Sequence, residues 1–226
     1  MPGMDADGPF EVPDEARQRL TKVLRLQSGE YFAALPGDGR MVVCQLDGLS
    51  AVPLTTETPG TESELRLTIA QALTRPEKLE TTVRMGTEIG VHRFLVFPAS
   101  RSLVNWDQRK LEQKLERLQA IAISAAEQSY RTHIPEVSFI PNLKDILSAN
   151  PEAIVASESQ SAPLASMPKG TESCVVIGPE GGWTPVEVKL IGDRAASFGP
   201  LVFRTETAGP AIASLFILGS RLQLHR

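Results

Sequence analysis

The chain has few of the residues that hold metals and disulfides: two cysteines and three histidines in 226 residues. Cys44 and Cys174 lie far apart, each inside an apolar run ("MVVCQL", "SCVVIG"), where a small buried thiol is expected rather than a bridge or a ligand. His92, His133 and His225 show no HxxxH-type spacing, so no metal site is expected. Long hydrophobic runs are also missing: no stretch reaches the roughly 18 apolar residues of a membrane span. The start "MPGMDADGPFEVPDEARQRL" has neither the basic opening nor the apolar segment of a signal peptide. A cytoplasmic protein with no membrane partner is the expectation. There is no excess of positive charge, since the net charge is −4 and the pI about 5.5. Nucleic-acid binding driven by overall charge is disfavoured, whereas a local basic patch is not.

The residues that are present suffice for a core: 42% are hydrophobic, and the length fits one large domain or two unequal ones. In the first 60 residues, "EYFAAL", "GDGR" and "RMVVCQL" read as strand, glycine-bearing hairpin turn and strand. Ahead of them "DEARQRLTKVLRL" reads as a helix with Leu20, Val23 and Leu24 on one face and Arg17, Lys22 and Arg25 off it. Those basic residues form either a solvated face or an RNA contact. "TTETPGTESE" is polar, contains Pro and Gly, and reads as a linker or loop.

From Leu65 helix and strand patterns alternate. "PEKLETTVRMGTEIG" spaces Leu79, Val83 and Ile89 as a helix that starts at a proline and stops at Gly90, and "VHRFLVF" follows as a buried strand. "WDQRKLEQKLERLQAIAISAAEQSYR" repeats Leu111, Leu115, Leu118, Ala122 and Ala125 at helical spacing, as one long amphipathic helix packed on a sheet. "EAIVAS", "SCVVIG" and "GPLVFR" read as strands, and helices are expected to start near Pro185 and Pro210. This order points to an α/β fold with a mostly parallel sheet covered on both faces.

"VVIGPEGGW", from Val175 to Trp183, runs from an apolar strand into a glycine turn with a carboxylate in its middle. Next come Thr184, Pro185 and Glu187, which suit N-cap, N1 and N3 of a helix. The turn matches neither GxxxxGK[ST] nor GxGxxG. Glu180 also disfavours a phosphate, and a neutral or cationic ligand suits it better. From these residues alone the turn is either a ligand loop, its glycines letting backbone approach a flat molecule, or a tight strand-to-helix connection that binds nothing.

"GPEGGW" together with "RTETAGPAIA" (Arg204 to Ala213) resembles the two hallmark segments of the RsmE family. Further stretches are similar in the same order: "LTIAQALTRPEKLETTVRMGTEIGV" to the entry strand and first helix, "SRS" at 100–102 to an "ERS" element, and "ISAAEQSYRTHIPEV" to an "AAEQSGR..IP" helix end. The similarity spans about Leu65 to Leu222. It implies a SPOUT methyltransferase domain over 65–226, with a C-terminal trefoil knot, preceded over 1–60 by a small PUA-like β-barrel that binds RNA. It also implies S-adenosylmethionine as cofactor, a homodimer, and methylation of uridine N3 in 16S ribosomal RNA of the small subunit. Such knots are rare and do not follow from the pattern of elements.

Carried over position by position, the family's cofactor site falls on Glu158, on Ile177, Gly178, Pro179, Glu180, Gly181 and Gly182, and on Leu201, Phe203, Thr205, Thr207 and Ala208. Glu180 either faces the sulfonium or ties the loops together by hydrogen bonds. Arg204 is expected to steady a developing uracil anion and Glu206 to accept the proton. Arg101, Arg131, Arg17 and Arg25 are expected on the RNA side. For Glu127, Gln128 and Arg131 the alternative is a helix end at a subunit contact.

Several residues depart from the family pattern. The chain's start lacks the usual Arg-aromatic strand and the histidine ahead of "VLRL", so a shortened or altered barrel is expected. Arg75 and Arg84 stand where lysines are common, Tyr130 stands for a small residue, and Trp183 stands for the more usual phenylalanine and is expected only to fill space. Two rival readings remain: a catalytically silent RNA-binding or ribosome-assembly factor, motivated by the acidic balance and the altered start, and a SPOUT methyltransferase acting on another RNA atom such as a ribose 2′-hydroxyl.

Overall fold

A computed structural model describes residues 5–159 and 162–224; His225 lies outside them. The chain divides into two compact units, one of residues up to 62 joined by 126–134, the other of 63–125 and 135 onward.

In the first unit β1 (Phe10–Glu11), β2 (Tyr31–Ala34), β3 (Met41–Asp47) and β4 (Ser50–Glu57) form an antiparallel sheet in the order β1-β4-β3-β2. The expected hairpin is present, with Phe32 opposite Cys44. Val42, Cys44 and Leu46 alternate inward along β3 onto Val12, Leu20 and Ala51. The register slips between Val43 and Cys44, where β3 meets Pro53, a residue that cannot donate to the ladder.

One expectation for this region fails. The helix before β2 is only α1 (Asp14–Gln18), followed by a π-helical turn, Arg19–Val23. Its wider i→i+5 bond, Leu24 N to Arg19 O at 3.0 Å, shifts the phase of the apolar face. Leu20 is buried, Val23 and Leu24 are 71% and 60% exposed, and Leu26 packs on the core instead. The polar stretch read as a linker or loop starts inside β4 and runs on without helix or strand over 58–64, and its Glu62 is an anchor: Oε1 accepts from the Thr132 and His133 amides at 2.9 and 3.1 Å, and Oε2 from Arg131 Nη2 at 2.7 Å.

The second unit carries β5 (Arg66–Ala72), α2 (Pro76–Ile89), β6 (Arg93–Phe97), α3 (Gln108–Gln128, its last residues counted in the first unit), β7 (Glu136–Phe139), α4 (Leu143–Ala149), β8 (Ile154–Ala156), β9 (Glu172–Ile177), α5 (Pro185–Ile191), β10 (Ala195–Ala196) and α6 (Thr205–Leu224). Its six strands are all parallel, in the order β10-β8-β9-β5-β6-β7. The two-residue period of a strand divides the core. Leu67, Ile69, Phe94, Val96, Val175 and Ile177 face α2, α3 and α6, while Ala70, Ala72, Leu95, Phe97, Cys174 and Val176 face α4 and α5. This is the α/β arrangement with both faces covered that the alternating pattern implies. α2 ends as expected at Gly90, with φ 118°.

The C-terminal region departs from expectation in two places. "GPLVFR" is not a strand: Leu201 and Val202 are 75% and 68% exposed and pair with no sheet edge. The strand at this edge is instead β10, two residues from the "RAAS" segment, with Ser197 bridged to Leu164. The last helix starts at Thr205, not at Pro210, which lies inside it. Thr207 and Ala208 both donate to Arg204 O at 2.9 Å, so the helix nucleates ahead of the proline and passes through it.

Candidate functional site: a cleft at the sheet's switch point

The strand order reverses between β9 and β5, since the chain builds outward one way through β6 and β7 and the other way through β8 and β10. Such switch points open a crevice beyond the carboxyl ends of parallel strands. A cleft of about 1070 Å³ lies there, lined by the loops that follow β8, β9 and β10 and by the first turns of α2 and α6. Its volume is at or just above the ~300–1,000 Å³ usual for small-molecule sites.

Three interlocked contacts shape the loop after β9. Thr184 and Glu187 form the expected capping box, and Glu187 Oε1 also accepts from the Ser100 amide at 2.9 Å, which fixes the loop after β6. From that loop Arg101 Nη1 donates to Gly181 O at 2.9 Å. A Cβ on Gly181 would lie 3.0 Å from the Arg101 Cβ, so the glycine permits the close approach. Finally, the Trp183 indole covers Gly178 and donates from Nε1 to Ala156 O at 3.2 Å, joining the loops after β8 and β9.

Glu180 ties the loops together. Its Oε1 accepts from the Thr74 hydroxyl and, at 3.0 Å, from Lys78 Nζ. The same ammonium lies 3.2 Å from Glu206 Oε2 at the start of α6. Burial pushes the Glu180 carboxyl up, but Thr74, its own amide and Lys78 outweigh burial and hold it below the usual range. The Glu206 carboxyl is held low by its own backbone N–H and by Lys78, against burial. Lys78, hydrogen-bonded chiefly to Glu180, is raised. All three are therefore charged near neutrality. Close packing holds α6 down: a Cβ on Gly209 would meet Thr82 Cγ2 at 3.2 Å and Ile69 Cγ2 at 3.5 Å.

Residues 61–217 match the RNA methyltransferase domain family. A ribosomal RNA small subunit methyltransferase E from Bacillus subtilis is 32% identical over 219 residues, covering 88% of this chain and 86% of the relative. The chain belongs to this methyltransferase family. A Synechocystis member is 33% identical over 86% of this chain and 67% of its own length. Among solved structures, a Neisseria gonorrhoeae member bound to S-adenosyl methionine has a TM-score of 0.83 at 28% identity, covering 93% of this chain and 92% of that one. A Legionella pneumophila protein with bound SAM gives 0.84 at 26%, covering 96% and 95%. The chain is thus an rRNA methyltransferase by family.

Of the residues expected at the cofactor site, Glu158, Ile177, Gly178, Pro179, Glu180, Gly182, Leu201, Phe203, Thr205 and Ala208 line the cleft, whereas Gly181 and Thr207 do not. Arg204 lines it and is exposed. Glu206 does not line it; its carboxylate is turned to Lys78, a partner that weakens it as a base. Arg101 is exposed, and its Nη1 donates to Gly181 O at 2.9 Å and, at 3.5 Å, to Trp183 O. Arg131 is 5% exposed and its guanidinium is taken by Glu62, so its side chain is not available for RNA. Arg17 pairs with Asp14, and Arg25 is exposed at φ 56°, both in the first unit.

Sequence reasoning missed Lys78, the Ser197–Pro200 turn and the structural hydrogen bond of Trp183. Lys78 sits in the quoted "RPEKLE" segment, and its signal was available: a cation in the first turn of a helix opposes the macrodipole and calls for nearby carboxylates. Among the described residues no group of three or more His, Cys, Asp or Glu side chains is placed to hold a metal, and no helix is long and apolar enough to cross a membrane.

Proposed function

We propose that the protein transfers a methyl group from S-adenosylmethionine to N3 of a uridine in 16S ribosomal RNA of the small subunit. The observation that carries this is the meeting of "GPEGGW" and "RTETA" on one cleft at the switch point, in a chain whose relatives are named as ribosomal RNA small subunit methyltransferases. The lining suits the cofactor. Leu201, Val202 and Phe203 present exposed apolar surface on its wall, as a flat nucleobase requires, and Glu158 supplies a carboxylate in the lining. Gly182, at φ 67°, has open space where a Cβ would stand.

S-adenosylmethionine bound there supplies an electrophilic methyl on a positively charged sulfonium. The chain's part is to bind, orient and stabilise charge. Glu158, Ile177 to Glu180, Gly182, Leu201, Phe203, Thr205 and Ala208 would hold the cofactor. Arg204 would donate to a uracil carbonyl oxygen while the N3 proton passes to solvent water, stabilising the charge that develops there as N3 takes the methyl and S-adenosylhomocysteine leaves. Glu206, held ionised by Lys78, fixes the helix turn that carries Arg204. As a carboxylate of low pKa it is a weak acceptor for the N3 proton.

The wider reading keeps the family's architecture: a trefoil knot formed by the C-terminal chain, a PUA-like RNA-binding barrel in the first 60 residues, a methyltransferase domain from 65 onward, a homodimer, and a cytoplasmic setting. Arg17 and Arg25 remain the RNA-side residues of the first unit. The test is methylation of small ribosomal subunits from a strain lacking its own enzyme, using labelled S-adenosylmethionine and nucleoside mass spectrometry. N3-methyluridine is expected. Methylation at a ribose would instead support action on another RNA atom, and no transfer would support a silent RNA-binding factor.

A further inference from the structure

We infer that Lys78 is a positioning residue: its ammonium straps the turn after β9 to the start of α6 and so holds the two halves of the cleft in register. The inference rests on the function proposed above only for the identity of the ligand. Its geometric basis is independent. Nζ lies 3.0 Å from Glu180 Oε1 and 3.2 Å from Glu206 Oε2, and these carboxylates belong to segments 26 residues apart in sequence. Thr74, fully buried two residues beyond the end of β5, donates to the same Glu180 oxygen. The strap thus ties both segments to the stretch that joins β5 to α2.

The placement of the lysine is otherwise unfavourable. Pro76 occupies the first position of α2, so Lys78 sits in the first turn, where the helix dipole repels a cation. Two carboxylates offset that repulsion. Side chains that are 20–25% exposed contribute little to global stability as ion pairs. What they do instead is fix where two loops stand, and a cleft whose walls come from separate loops loses affinity when those walls drift apart.

The test compares full-length wild type with Lys78→Met and Lys78→Arg. Hydrogen exchange is read first, without cofactor. In Lys78→Met the amides of 180–183 and 205–208 are expected to exchange at least about tenfold faster, while those of β5 and β6 keep their protection and thermal unfolding shifts by less than about 4 °C. Lys78→Arg is expected to restore slow exchange. Calorimetric titration with S-adenosylmethionine is then expected to show an affinity loss of about tenfold or more in Lys78→Met, recovered in the arginine variant. Unchanged exchange in either segment overturns the strap, as does a general loss of protection with a matching fall in unfolding temperature. If exchange behaves as expected but wild type does not bind S-adenosylmethionine, the strap stands and the proposed function falls.

Discussion

The indole of Trp183 lies so close over Gly178 that a Cβ at position 178 would come within 2.9 Å of its Cε2. The same ring donates to Ala156 O at 3.2 Å, so a contact inside one turn locks two loops of the cleft. Gly178→Ala is expected to push the indole aside, break that hydrogen bond and cost about 1–3 kcal/mol through overpacking. Trp183 fluorescence should shift, and calorimetric affinity for S-adenosylmethionine should fall. An alanine variant with wild-type emission and affinity would show that the ring has room to move.

Arg204 is the exposed guanidinium in the cleft lining, next to the carboxylate that Lys78 restrains. If it steadies charge that develops only during transfer, Arg204→Met should lower kcat by roughly 10²–10³-fold and leave cofactor affinity within a few-fold. Arg204→Lys keeps the charge without the fork geometry and should recover only part of the loss. Steady-state methylation of small subunits, with separate titration of cofactor, checks the split. An equal loss in cofactor affinity would place Arg204 on the cofactor instead.

How much of this was legible in the sequence follows from the range of each interaction. The capping box of Thr184 and Glu187 and the stop at Gly90 are local, and the quoted residues contain all that is needed. The alternating strands and helices gave the two-faced sheet, because burial on both faces leaves continuous apolar runs. "GPLVFR" misled for the same reason: its apolar run reads as a buried strand, yet it lines an open cleft, and only the tertiary arrangement distinguishes the two. The strap through Lys78 joins residues 102 and 128 positions apart, beyond any periodicity. The π-helical turn was equally hidden, since one wide turn changes the phase of a face without a residue type that announces it.

In the first unit Glu62 is expected to make stability depend on pH. Burial pushes its carboxyl up, but the Arg131 guanidinium and the amides of His133 and Thr132 outweigh burial and hold it below the usual carboxylate range. A depressed folded pKa contributes stability that is fully present above the unfolded value and is lost as pH falls through the folded value. Between neutral pH and about 5 the contribution should therefore be constant, and below about 4 it should fade. Glu62→Gln removes the charge, leaves the buried Arg131 without its carboxylate, and should cost about 2 kcal/mol at neutral pH. The difference between variant and wild type, measured by urea unfolding from pH 7 to 3, should shrink as the medium becomes acid. A constant difference across that range would assign the stability to packing rather than to the pair.

Tyr130 adopts φ 54°, in the left-handed region, at the position where the family pattern "AAEQSGR" carries glycine. Its side chain is 65% exposed, so the ring brings little burial to offset the backbone cost, which for an L-residue is roughly 1–2 kcal/mol. The turn is imposed by its neighbours: Arg131 N donates to Ala126 O at 2.9 Å, and the guanidinium and the next two amides converge on Glu62. Tyr130→Gly is expected to keep those bonds and relieve the strain, while glycine's freedom in the unfolded chain takes back part of the gain. A net stabilisation of about 0.5–1 kcal/mol should result, read as a higher urea midpoint with an unchanged slope. Tyr130→Ala separates the two contributions, because it removes the ring but retains the Cβ that makes the conformation costly. It should therefore be no more stable than wild type. If alanine stabilised as much as glycine, the ring rather than the backbone would be the source of the strain.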